Sequence, residues 1–190
     1  MKTITVTLRT SIALMIIVMI YQLVVTGIAQ AVMPDQANGS LVYNSNNEVV
    51  GSRLIGQTFS APGYFHSRIS SIEYNAASSG TPNYAPSNPD MLKRTKEAVE
   101  VWKQENPKVA ISEVPVDLIT NSGSGLDPHV SVAAAEVQIP RVSESTGIPA
   151  DQLKGLVAKH TKERELGLFG EPAVNVLLLN MDVQKIVSGQ

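Results

Sequence analysis

The chain opens with its longest apolar stretch. Between residues 10 and 34 no position is charged, and residues 12–28 are almost continuously apolar. A bilayer core is crossed by about 20 apolar residues in a helix, so this pattern predicts a membrane span over residues 10–33. A secretory leader is the competing reading. Lys2 and Arg9 would form its basic start, and Ala29-Gln30-Ala31 has the small-x-small form of a cleavage site. The apolar core of a leader is typically about 7–15 residues long, so the longer run here favours an uncleaved anchor. Gln22 sits near mid-span, where it reads equally as a polar residue tolerated on a lone helix or as an amide that bonds a neighbouring helix.

Beyond Pro34 the pattern shortens. Leu41-Val-Tyr43 and Val49-Val50 flank the turn-rich Asn44-Ser-Asn-Asn47, the pattern of a hairpin. Residues 75–90 read as a loop with prolines at 82, 86 and 89. Asn88 is placed to cap a helix, with Pro89 at its first position and Asp90 in its first turn. Leu92, Val99 and Trp102 mark its buried face, and Asn106-Pro107 ends it. Val109-Ala-Ile-Ser and Val114-Pro-Val-Asp-Leu-Ile-Thr120 are short apolar segments; Pro115 restricts the second to an edge strand or the start of an element. Ser131 predicts the cap of a helix from Val132 to about Ser145, with Gly147 as its stop. A further helix follows Pro149, to about His160. Leu166-Gly-Leu-Phe-Gly170 predicts a turn, and Ala173-Val-Asn-Val-Leu-Leu-Leu179 a strand. Together these elements predict an α+β domain anchored by one N-terminal transmembrane helix.

Charge sets the orientation. Lys2 and Arg9 precede the span, and Asp35 is the first charge after it. The positive-inside rule then predicts residues 1–9 as a cytoplasmic tip, 10–33 as the span and 34–190 as a soluble extracytoplasmic domain. Outside the tip and span, 13 basic residues face 17 acidic ones, a net charge of −4. That excludes a basic nucleic-acid footprint. The chain has no cysteine, which excludes disulfides, thiolate catalysis and cysteine-ligated metal sites.

Candidate chemistry gathers around one motif. Gly123-Ser-Gly125 invites a phosphate-loop reading, but no Lys follows at the Walker position, and the third glycine of a dinucleotide fingerprint is Pro128. A structural turn feeding the next element is the stronger reading, with one glycine at positive φ. Asp127 and His129 could suggest acid–base or metal chemistry, but Pro128 stands between them. Asp127 is expected to cap a turn and His129 to bond locally. Glu163, Arg164 and Glu165 read as a solvated run. The chain shows no Gly-x-Ser-x-Gly elbow.

Several blocks, in order and over nearly the whole chain, resemble one family. They include Gly51-Ser-x-Leu-Ile-Gly-Gln57-x-Phe59, Tyr64-Phe-His-x-Arg68, Pro86-Ser-Asn-Pro89 and Val114-Pro-Val-Asp-Leu118. Thr120-x-Ser-Gly-Ser-Gly-Leu-Asp-Pro-His129 is the most specific. Gln138 with Arg141-Val142, His160-Thr161, Leu166-Gly-Leu-x-Gly-Glu-Pro172 and Val174-Asn-Val-Leu-x-Leu-Asn180 extend the match. The family is the C subunit of the bacterial Kdp potassium-transporting ATPase. Departures fall at Ile69-Ser-Ser-Ile72 and Gly80-Thr-Pro-Asn-Tyr-Ala85.

The resemblance implies a non-catalytic subunit of a hetero-oligomer in the bacterial inner membrane. Its partners would be a channel-like potassium subunit, a P-type ATPase subunit and a small subunit, besides the lipid bilayer. It also implies a catalytic-chaperone role that raises the ATP affinity of the ATPase subunit, with no cofactor held firmly by this chain. Candidate partner-contact or structural residues are Gln57, Arg68, Ser122, Gly123, Gly125, Asp127 and His129. For Gln57 and Arg68, a bond inside the domain weighs equally with a bridge to a partner. The rival reading is a secreted binding or hydrolytic protein released after Ala31.

Overall fold

The computed structural model describes residues 2–189, which divide into two compact units with the boundary after residue 41. The first unit is built on α1 (Lys2–Val32), whose most apolar window has a mean hydropathy of 2.5 and buries no residue. It is the one helix among the described residues long and apolar enough to cross a membrane. The helix begins earlier than the apolar run, so Lys2 and Arg9 share it, and it continues unbroken through Ala31. A short α2 (Pro34–Ala37) follows, with proline in its first turn.

The second unit starts with the expected hairpin of β1 (Leu41–Tyr43) and β2 (Val49–Ser52). Asn44 organises the turn: its Oδ1 accepts the amides of Asn46 and Glu48 at 3.0 and 2.9 Å. α3 (Pro89–Glu105) starts where the sequence places it, with Asn88 Oδ1 accepting the Asp90 amide at 2.8 Å. Trp102 is buried, but Leu92 is exposed, because only the C-terminal half of α3 reaches the core. The two apolar segments that follow form a 3₁₀ turn (Ile111–Glu113) and α4 (Val116–Ile119), with Pro115 as an element start.

Two expectations need correction. The helix expected from Val132 to Ser145 is two helices, α5 (Val132–Glu136) and α6 (Ile139–Thr146). Pro140 lacks the N–H needed to continue α5, and its ring crowds the carbonyl four residues back. Ser131 is the cap expected, its Oγ accepting the Ala134 amide at 3.1 Å, and Gly147 ends α6 at φ 76°. α7 (Ala150–Lys159) follows Pro149.

The second correction concerns the strand expected over residues 173–179. Only Ala173–Asn175 are extended; α8 (Val176–Ser188) begins immediately after. Asn175 makes the switch, since its Oδ1 accepts the Leu178 amide at 3.1 Å as an N-cap. A short apolar run does not separate a buried strand from a buried helix turn. The helical signal lies in the wider spacing of Val176, Leu179, Asn180 and Val183, all buried.

A three-stranded antiparallel sheet organises this unit. With β3 (His129–Ser131), β4 (Thr161–Lys162) and β5 (Ala173–Asn175), its order is β3-β5-β4. Val130 pairs with Val174, and Thr161 with Val174 on the other side. Helices α5 and α8 pack on β5, and α7 packs on α5, α6 and α8. The core between them holds Phe65, Val130, Val142, Leu153, Val157, Val174 and Leu179.

Candidate functional site

A segment with no regular secondary structure, residues 62–66, runs through the core. Phe65 is fully buried within it, so its backbone polar groups need partners away from water. Side chains supply them. Asn180 accepts the Phe65 amide at 2.8 Å and donates to the Phe65 carbonyl at 2.9 Å. Gln138 does the same for His66, accepting its amide at 2.7 Å and donating to its carbonyl at 3.2 Å. The Arg141 guanidinium donates to the carbonyls of Pro62 and Tyr64, to Gln138 Oε1 and to Asn106 Oδ1. The break between α5 and α6 puts Gln138 and Arg141 on this one hub.

The 121–129 loop is tied to the same stretch of chain further on. Arg68 Nη1 lies 3.1 Å from Asp127 Oδ2, and its Nη2 reaches the Asn121 carbonyl at 3.5 Å. The other oxygen of Asp127 accepts the His129 amide at 2.9 Å, the turn cap expected from the sequence. Ser122 is buried, and its amide donates to the Ile69 carbonyl at 2.9 Å. Gly125 takes the left-handed φ of 71°, while its carbonyl accepts Ser70 Oγ at 2.7 Å. Tyr74 closes the loop assembly by donating its hydroxyl to the Arg68 carbonyl.

The glycine-serine turn uses its polar groups internally. Ser122 Oγ accepts the Gly125 amide at 3.2 Å, and Ser124 Oγ accepts the Leu126 amide at 3.1 Å. The Ser124 carbonyl accepts the Gly80 amide at 2.9 Å. Gly123 is exposed, with open space at its Cα. Gln57 is likewise engaged within the domain, donating to the Val50 carbonyl at 2.7 Å.

Gln57 and Arg68 line one groove of about 460 Å³, between the 57–74 segment and α3. Its wall also holds His66, Arg94, Glu105 and Trp102. The Trp102 indole N–H and Arg68 Nε are buried there without a partner. Ser122, Gly123, Gly125, Asp127 and His129 stand outside this lining. The predicted residues thus fall into two groups, joined by the Arg68–Asp127 pair.

Burial sets the titration of the histidines. His66 is pushed below the usual histidine range by burial and by the Arg141 charge 3.3 Å from Nε2, against the pull of Glu105 at 3.4 Å. His129 is lowered by burial more than Asp127 raises it, with Lys162 adding to the lowering. No three His, Asp or Glu side chains gather to hold a metal among the described residues.

Motif reading passes over Arg53 here, and gives Gln138, Arg141 and Asn180 no role beyond the family match. Asn180 pins Phe65, and the Arg53 carbonyl accepts Asn175 Nδ2 at 2.9 Å. The available signal was a polar residue at helical spacing among buried apolar ones, which requires a buried partner.

Comparison with known proteins gives the same family from two directions. A family model described as "K+-transporting ATPase, c chain", KdpC, matches residues 4–185. A potassium-transporting ATPase KdpC subunit of Bacillus cereus strain Q1 is 58% identical over 169 residues, covering 89% of this chain and 88% of the relative. The same-named proteins of Bacillus anthracis strain CDC 684 / NRRL 3495 and of Bacillus cereus strain ATCC 14579 are 59% and 57% identical over equal spans. With the match running from the first turns of α1 nearly to the end of α8, the chain belongs to the KdpC family of potassium-transporting ATPase subunits.

Proposed function

We propose that this chain is a single-pass accessory subunit of an ATP-driven potassium uptake complex. Its domain lies on the extracytoplasmic side, where it supports assembly and gating at the outer mouth of a channel-like subunit. The observation that carries this reading is α1: Lys2 and Arg9 stand in its first turns, and no charge follows until Asp35. The polar residues of the family motifs support a scaffolding role, because most of them bond to the domain itself. A net charge of −4 outside tip and span favours cations near the mouth, though screening confines this to about 8 Å at physiological salt.

ATP is hydrolysed on the cytoplasmic side, so this orientation separates the domain from nucleotide. The chaperone role on ATP affinity that the family resemblance implies would then act through the partner subunits. Protease added to intact spheroplasts should digest residues beyond α2 and leave the tip protected. A domain protected in intact spheroplasts and cleaved only after lysis reverses the orientation and supports direct contact with ATP.

A further inference from the structure

The β4–β5 connection carries an apolar tip that the core does not use. Glu165 and Phe169 bridge as an antiparallel pair, with amide-to-carbonyl bonds of 2.8 and 2.9 Å in the two directions. The Gly167 amide donates to the Arg164 carbonyl at 3.0 Å, closing the turn. At its apex Leu166 is 89% exposed, Leu168 74% and Phe169 65%. Leu166 also holds a φ of 54°, a left-handed conformation that leucine rarely adopts. Gly167 and Gly170 continue the left-handed path at 72° and 82°. A tight turn thus presents three large apolar side chains together, which scattered surface leucines do not do.

The surroundings decide between partners. Lys162 pairs with Glu165 at 2.6 Å, and Arg164 with Glu171 at 2.8 Å, leaving Glu163 over. This polar rim is net negative, whereas surface-seeking membrane segments carry an excess of Lys and Arg toward anionic lipid. Three side chains meeting their own copy would also bury far less than the roughly 1,200 Å² of a stable interface. Apolar anchors inside a polar rim are instead the anatomy of a hot spot within a larger protein interface. We propose that the Leu166-Leu168-Phe169 tip docks into an apolar socket on another subunit of the potassium-transporting ATPase. This rests on the subunit reading above.

The test is co-purification of the full-length chain with the co-expressed remaining subunits in detergent, for wild type, Leu166→Asn and Leu168→Ser/Phe169→Ser. Asparagine accepts left-handed φ more readily than leucine. Leu166→Asn should therefore leave the melting temperature of the purified chain unchanged or raise it, while retention in the complex weakens about tenfold or more. The double variant should weaken retention further. Variants that fold and assemble as wild type overturn the docking proposal, as a lipid-seated tip also requires in detergent. A wild-type chain that fails to co-purify overturns the subunit reading itself, and the docking with it.

Discussion

The carboxamide of Asn180 faces the backbone of Phe65 as a neighbouring strand would, closing both of its hydrogen bonds at 2.8 and 2.9 Å across 115 residues of sequence. Gln138 repeats the device on His66. The chain between β2 and α3 enters the core paired to side chains instead of to a sheet. Because α8 carries one carboxamide and the α5–α6 break the other, residues 65 and 66 are pinned to two separate helical elements.

Replacing Asn180 with leucine keeps the branching and the number of side-chain heavy atoms and removes both bonds. Each buried group left unpaired costs about 1–3 kcal/mol, so Asn180→Leu, which frees two, should destabilise the domain by roughly 2–6 kcal/mol. Urea titration of the purified chain measures this. A loss below about 1 kcal/mol would mean that water replaces the carboxamide and that the pairing is incidental.

Two glycines should resist substitution for different reasons. A Cβ on Gly56 would lie 2.4 Å from the Asp127 carbonyl oxygen, a backbone atom that cannot step aside alone. A Cβ on Gly125 would meet the Ile72 side chain at 2.6 Å, at a φ of 71°. Gly125→Val should lower stability by roughly 1–3 kcal/mol through strain. Gly56→Ala should also loosen the 121–129 loop, since it pushes on Asp127, the partner of Arg68. Amide exchange of the Leu126 and His129 N–H groups would report that; unchanged protection in Gly56→Ala would contradict the close approach.

Acid should weaken the domain in two steps. His66 and His129 titrate below the ordinary value of 6.5 in the folded chain, so the unfolded chain binds protons first. Their contribution is present above about pH 6.5 and is lost as pH falls below it. Asp182 is also shifted downward, from a lower ordinary value. Burial works against ionisation, yet hydrogen bonds from Lys159, Lys185 and His160 hold its carboxyl far below the usual 3.8. Its contribution persists through the histidine step and is lost only below about pH 4. Thermal melts from pH 8 to pH 3 should show both, and His66→Gln should shrink the first alone. A first step that is unchanged in His66→Gln and His129→Gln assigns it elsewhere.

Local chemistry was legible wherever the sequence carries its own punctuation. Asn88-Pro89-Asp90, Ser131 and Gly147 set helix ends that the structure repeats, because capping needs only neighbours. The hairpin turn at Asn44 is of the same kind. The strand over 173–179 and the unbroken helix from 132 misled where a single residue, Asn175 or Pro140, outweighs an apolar pattern. The pinning of residues 62–66 was hidden more deeply. Its partners lie 72 to 115 residues away, and no periodicity marks a backbone that pairs with side chains. Of the residues singled out, Arg68 and Asp127 do meet, though a family motif lists them without saying that they touch.

We propose that this chain serves its complex by binding and shape, with no residue acting as acid, base or nucleophile. The direct measurement is potassium-stimulated ATPase turnover per intact complex for Asp127→Ala and His129→Ala, with assembly and melting confirmed for each. Asp127→Ala releases Arg68 and the His129 amide, so it should reduce assembly or stability while each complex that forms turns over within a few-fold of wild type. Removing a general acid or base typically slows the chemical step by about 10²–10⁴-fold. A loss of that size in fully assembled, normally stable complex would contradict the account.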